Sequence, residues 1–163
     1  MSTLTQIADQ HHQRLAGHVE RLSALADEIG IKPWAQVGPG LADEVDFLNS
    51  TLIPHMETVE SAVHQELDRL LSCRLGMEPL DREHEEIRSL IGRLGDLVGR
   101  PGSAEPEQGA LIELHRVAVK LHSMLRVHLR EESMYMPILE HNLTADQADA
   151  IAKAMEHAAR VEL

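Results

Sequence analysis

Residues 111–136 read LIELHRVAVKLHSMLRVHLREESMYM. Leu111, Leu114, Ala118, Leu121 and Leu125 recur at spacings of three and four, the period of one helix face. The stripe continues through His128, Glu132 and Tyr135. Polar side chains thus take positions that packing alone would give to apolar ones. His128 and Glu132 are four residues apart, so their side chains meet on one face. The stretch reads as a long helix, half packing surface and half chemistry.

The same spacing recurs on either side of it. Ala8, His12, Leu15, Val19, Leu22, Ala26 and Ile29 define a helix near 3–29. Leu52, Met56, Glu60, Val63, Leu67 and Leu71 define one near 41–73, with His55 beside the stripe. Leu80, His84, Ile87, Ile91, Leu94 and Val98 define one near 80–98, and the opening stretch belongs to one near 107–136. Thr144 reads as the N-cap of a short last helix near 144–160, whose Ala148, Ile151, Ala152 and Met155 face the rest. Gly30 to Gly40, Gly76 to Pro79, Gly99 to Pro106, and Pro137 to Asn142 read as connections. Trp34, in the first of these, is expected to plug an apolar gap. Short connections between four amphipathic helices predict an all-α, antiparallel up-down four-helix bundle with a short extra C-terminal helix. It forms a single domain over residues 1–163.

Composition narrows the function. Fifteen Lys and Arg against 27 Asp and Glu give a net charge of −12, which argues against nucleic acid or an anionic membrane as a broad partner. Cys73 is the single cysteine, which excludes an intrachain disulfide and a Cys-rich zinc site. No apolar run approaches the roughly 20 residues of a membrane span, and MSTLTQIADQHHQRL lacks the pattern of a signal peptide. A cytoplasmic location is the expectation. Aromatics make up only 2% of the chain, which favours an aliphatic helical core, whereas histidines number 11.

His12, His84 and His128 lie in the stripes of three different helices; Glu60 and Glu132 lie in those of the second and fourth. A buried carboxylate is costly unless a counter-charge compensates it. One divalent metal pair accounts for all of these residues together. His55 and Glu60 are five apart, about 140° round an α-helix, an arrangement suited to two metals. His18 and His122 lie six residues from His12 and His128 on the flanks of the stripes, as further ligands or boundary residues. His11 is an alternative to His12, and Glu131 to Glu132. His64, His115, His141 and His157 are read as surface or unassigned.

With these residues the chain resembles the hemerythrin-like, or HHE cation-binding, family. The matching pieces are QHHQRL at 10–15, PHMETVE at 54–60, REHEEIR at 82–88 and HLREESMYMP at 128–137. The resemblance implies a four-helix bundle holding two non-haem iron ions, oxo- or hydroxo-bridged. Histidines serve as terminal ligands and carboxylates as bridges. Carried over, His12, His55, His84 and His128 are the ligands of successive helices, and Glu60 and Glu132 the bridges. The usual His-x-x-x-Glu spacing is broken by Val59, and Arg88 stands where oxygen carriers have a second third-helix histidine. This points to a more general HHE-type site. The expected function is binding of, or reaction with, a small ligand such as O2, NO or peroxide. The alternative is a regulatory or interaction module in which the metal is structural.

Overall fold

The computed structural model describes residues 3–72 and 76–160, with side chains through residue 158. Among these residues the secondary structure is entirely helical. Helix α1 spans Leu4–Glu28. Helix α2 covers residues 34–70 as one continuous rod, in which π-helical turns Leu48–Leu52 and Val59–His64 interrupt the α-helix. Helix α3 is Glu78–Val98, α4 is Gln108–Asn142 and α5 is Ala145–Arg160. Cys73, where the second helix was expected to end, lies outside the described residues.

The ends of these helices are set locally. Thr3 and Gln6 form a reciprocal capping box at the start of α1. Gly30, at φ 74°, supplies the left-handed residue that stops it. Thr144 and Gln147 bond to each other's backbone at the start of α5, as the sequence predicts. Helices α2 and α4 are longer than the sequence suggests. The segment Trp34–Phe47 is helical through Gly38, Pro39 and Gly40. A Cβ on Gly38 would lie 2.7 Å from the Trp34 indole, and one on Gly40 would lie 2.9 Å from Leu25. These glycines admit close packing inside a helix and do not mark a loop. Likewise α4 runs through Pro137 to Asn142.

Two apolar clusters form the core. The larger includes Leu15, Leu22, Leu41, Leu52, Ile91, Leu94, Leu121 and Leu125 from α1 to α4. The smaller joins Leu4, Val59, Val63, Leu80, Met136 and Leu139 to Ile151, Ala152 and Met155 of α5. Helix α5 packs on α1 and on the middle of α2, closing the end of the bundle that holds the smaller cluster. No described helix is long and apolar enough to cross a membrane.

Candidate metal centre

A layer of polar side chains lies between the two apolar clusters. His11, His12, His55, His64, His84, His128 and Glu132 are all buried, and Glu132 is 1% exposed. The Glu132 carboxylate is the hub. Its Oε2 lies 2.9 Å from His12 Nε2 and 3.0 Å from His55 Nε2. Its Oε1 lies 2.9 Å from His128 Nε2 and 3.7 Å from His84 Nε2. The His84 and His128 Nε2 atoms are themselves 2.9 Å apart. The donor atoms of His12, His55 and Glu132 lie within 4.8 Å of one another, as do those of His64, His84 and Glu132.

Burial pushes the Glu132 carboxyl up, but His55, His12 and His128 outweigh it and hold the group well below the ordinary carboxylate range. His55 is shifted down, chiefly by burial. His128 is shifted up: burial opposes its charge, and the bond to Glu132 overcomes that. His11, its ring tilted 34° against that of His55 with centroids 4.6 Å apart, is pushed down to about 3, first by burial and then by His55 and Arg14.

Outer partners orient three of the imidazoles. The Ser133 hydroxyl donates to the Leu129 carbonyl at 3.0 Å, so its lone pair accepts from His12 Nδ1–H at 2.9 Å. His84 Nδ1–H donates to Glu60 Oε1 at 2.7 Å, and His64 Nδ1–H donates to Asp81 Oδ1 at 2.7 Å. A neutral imidazole carries one N–H. In each case the Nε2 lone pair is therefore left facing inward, the arrangement that orients histidines for a metal.

The donor set fits a metal. His64 Nε2 is buried without a hydrogen-bond partner, and His12 Nε2, whose ring proton is on Nδ1, faces Glu132 Oε2 at 2.9 Å with both atoms acceptors. A structure completed by protons alone would leave these atoms costly. Two ligands at right angles on a metal with bonds of 2.0–2.1 Å lie about 3 Å apart, the separation seen around Glu132.

The structure thus brings together five of the eight residues read from the sequence: His12, His55, His84, His128 and Glu132. Glu60 stands outside them. It is 29% exposed and faces His84 Nδ1 and Arg88 rather than the interior. His18 and His122 are placed elsewhere. His18 stacks on Phe47 at 3.4 Å and pairs with the buried Glu44, which Arg21 also holds at 2.9 Å. His122 Nε2 lies 3.8 Å from Glu20. His115, His141 and His157 are exposed.

His64 is buried, contrary to the surface reading. Nine residues after His55, it would sit about 180° round an ideal α-helix. The π turn Val59–His64 absorbs about one residue of that advance and brings the angle down to about 80°. Val59, four residues after His55 and so on its face of an ordinary α-helix, is buried, whereas Glu60 is 29% exposed. No 3.6-residue pattern carries the inward turn of His64.

The fold and layer define a helical-bundle protein with a buried His/Glu centre capable of holding metal. The model of the hemerythrin HHE cation binding domain matches residues 3–101, and the chain belongs to that family. The match covers His12, His55, His64 and His84; His128 and Glu132 lie beyond it and join the centre through the fold. No curated protein and no solved structure matches the chain.

Proposed function

We propose that the chain is a non-haem di-iron protein, built as an antiparallel up-down four-helix bundle. Its centre takes a small ligand such as O2, NO or peroxide. The observation that carries this reading is the division of Glu132: one oxygen faces His12 and His55, the other His128 and His84. A carboxylate so placed serves two cations at once, as in other bundle-core carboxylate sites. When bound, the iron pair supplies Lewis-acid and redox chemistry.

The chain's own residues do the rest. Ser133, Glu60 and Asp81 hold the Nδ1 protons of His12, His84 and His64, which keeps each Nε2 available. The apolar clusters on either side exclude bulk water and strengthen the electrostatics within the layer. A groove of about 480 Å³ along α1 and α4 is lined by His12, Leu129, Ser133, Arg126 and Arg130 and reaches the layer at His12. Its volume is far larger than that of a diatomic ligand or peroxide.

The test is elemental analysis of the purified protein together with its absorption spectrum in air. The expected result is two irons per chain with near-ultraviolet charge-transfer bands that change on adding peroxide or NO. Protein that takes up no iron, and whose melting temperature iron leaves unmoved, would overturn the reading.

A second reading is favoured by the outer face of α4. Ile112, Val119, Val127, Met134 and Ile138 are exposed there, within about a 100° arc. In that reading the metal stabilises the fold and a protein partner covers the arc. Iron-loaded protein that is inert to peroxide and NO would favour it.

A further inference from the structure

The outer face of α4 carries a symmetric pattern. Five of the seven large apolar side chains exposed among the described residues lie on this one helix. Counted outward from Ser123, Val119 and Val127 lie four residues away on either side, Arg116 and Arg130 seven, and Ile112 and Met134 eleven. Steps of four, seven and eleven return to one helix face, since eleven residues make about three turns. All seven positions are exposed. The stripe runs opposite the buried one through Leu121 and Leu125 and is about 33 Å long.

A stripe that is the same in both directions is self-complementary under a twofold axis through Ser123. A second copy laid antiparallel on it sets Val119 on Val127 and Ile112 on Met134, each pair occurring twice. The small Ser123 side chains meet on the axis, where close approach is needed. A groove of about 570 Å³, lined by Leu90, Ile112, Val117 and Val119, lies where Met134 of the second copy arrives. An unbranched, adaptable side chain suits such a gap.

The charges select the same arrangement. Lys120, Glu113 and Arg126 are engaged within the chain by Glu86, Arg93 and Glu20, whereas Arg116, Arg130 and Glu131 form no ion pair among the described residues. In the antiparallel register Arg116 falls opposite Arg130, and Glu131, the next residue along, is the counter-charge on the same flank as Arg116. Parallel pairing would set Arg116 on Arg116 and Arg130 on Arg130, and would align the helix dipoles unfavourably. The seven positions hold no carboxylate, so two chains of net charge −12 meet on a face that is not acidic.

We propose that a second copy of this chain binds the outer face of α4, antiparallel and in the register centred on Ser123. This names the partner that the second reading leaves open and does not depend on what the centre takes up. A strip about 33 Å by 10 Å covers less than the roughly 800 Å² per partner of a standard interface. The pairing is therefore reversible and concentration-dependent.

The experiment is sedimentation velocity on the full chain across the micromolar range, with variants compared by their dimer dissociation constants. Wild-type protein is expected to pass from monomer to dimer. Val119→Lys and Val127→Glu, both at exposed positions, should each weaken the dimer at least about tenfold, since a charge is then set on an apolar side chain. Their melting temperatures should stay at the wild-type value. Mixing these two variants should restore the dimer, because the introduced charges are opposite in sign and face each other across the interface. Mixing Val119→Lys with Met134→Glu should not, since Met134 faces Ile112.

Wild-type protein that stays monomeric throughout would overturn the proposal. So would a dimer that the single variants leave unchanged, or one that both mixtures restore equally. Reactivity of the iron-loaded protein towards peroxide and NO is measured separately, so failure of the pairing and failure of either reading of the centre are told apart.

Discussion

The layer around Glu132 and the apolar cluster around Leu121 and Leu125 are built on the same four helices, and α4 supplies the centre of both. Leu121 and Leu125 are 0% exposed, as are His84 and His128. Burial is equal, but its cost is not. Each buried leucine stabilises the fold by about 1.5–3 kcal/mol through area removed from water. A buried carboxylate among imidazoles gives up hydration and recovers it only through its partners. Along one helix, stability comes from residues 114–125, and the capacity for chemistry comes from residues 128–132. The two regions should therefore fail in different ways.

The largest effect is expected at the hub. Glu132→Ala should abolish metal uptake, because its two oxygens face both sets of histidines, whereas Glu131→Ala should leave uptake near wild type. The reverse ranking by elemental analysis would show that the bridge has been placed on the wrong residue. His128→Ala comes next and should lose at least one equivalent; full retention of two irons would remove His128 from the centre. Leu125→Ala probes the other region. It should lower unfolding free energy by about 2–5 kcal/mol in denaturant titrations and leave the metal content of the folded protein at the wild-type value. A variant that loses metal while still folded would mean that the two regions are coupled.

The smallest effect is the acid sensitivity of the metal-free protein. His11 has a folded pKa of about 3, against an unfolded value of about 6.5. His55 is shifted the same way. The unfolded chain then binds more protons than the folded one, so stability falls as pH drops from about 6.5 towards 3. The depressed carboxyls of Glu132 and Glu60 add to this loss at lower pH, whereas the raised His128 opposes it near neutrality. Melting temperature between pH 7 and 4 should fall less steeply in His11→Leu than in wild type. An identical slope would mean that His11 does not contribute to the acid response.

Most of the α-helical pattern is legible residue by residue. Leu15, Leu22, Ile87, Ile91, Leu94, Leu121 and Leu125 appear at 3–4 spacing and are buried as that spacing requires. The polar intruders His12, His84, His128 and Glu132 are visible for the same reason, since a period that places leucines in the core places them there too. The reading weakens wherever the chain departs from 3.6 residues per turn or bends a local rule. Pro39 and Pro137 read as breaks, yet both lie inside helices that tertiary packing sustains. Glu60 reads as a core residue because its 3–4 spacing from Met56 and Val63 puts it in the stripe, yet it is 29% exposed and held by Arg88, and the π turn brings His64 inward.

The sequence by itself determined a helical protein with an apolar core and histidines and carboxylates set into its stripes, because periodicity is a local property of the chain. It also carried the family resemblance that the domain match bears out over residues 3–101. Only the tertiary structure decided which polar residues share a centre. That choice depends on the phase of α2 across its π turns, on the bidentate grip of Arg88 on Glu60, and on Ser133 and Asp81 reaching histidines on other helices. These contacts join residues up to 121 positions apart, and a pattern of spacing along one helix holds no information about them.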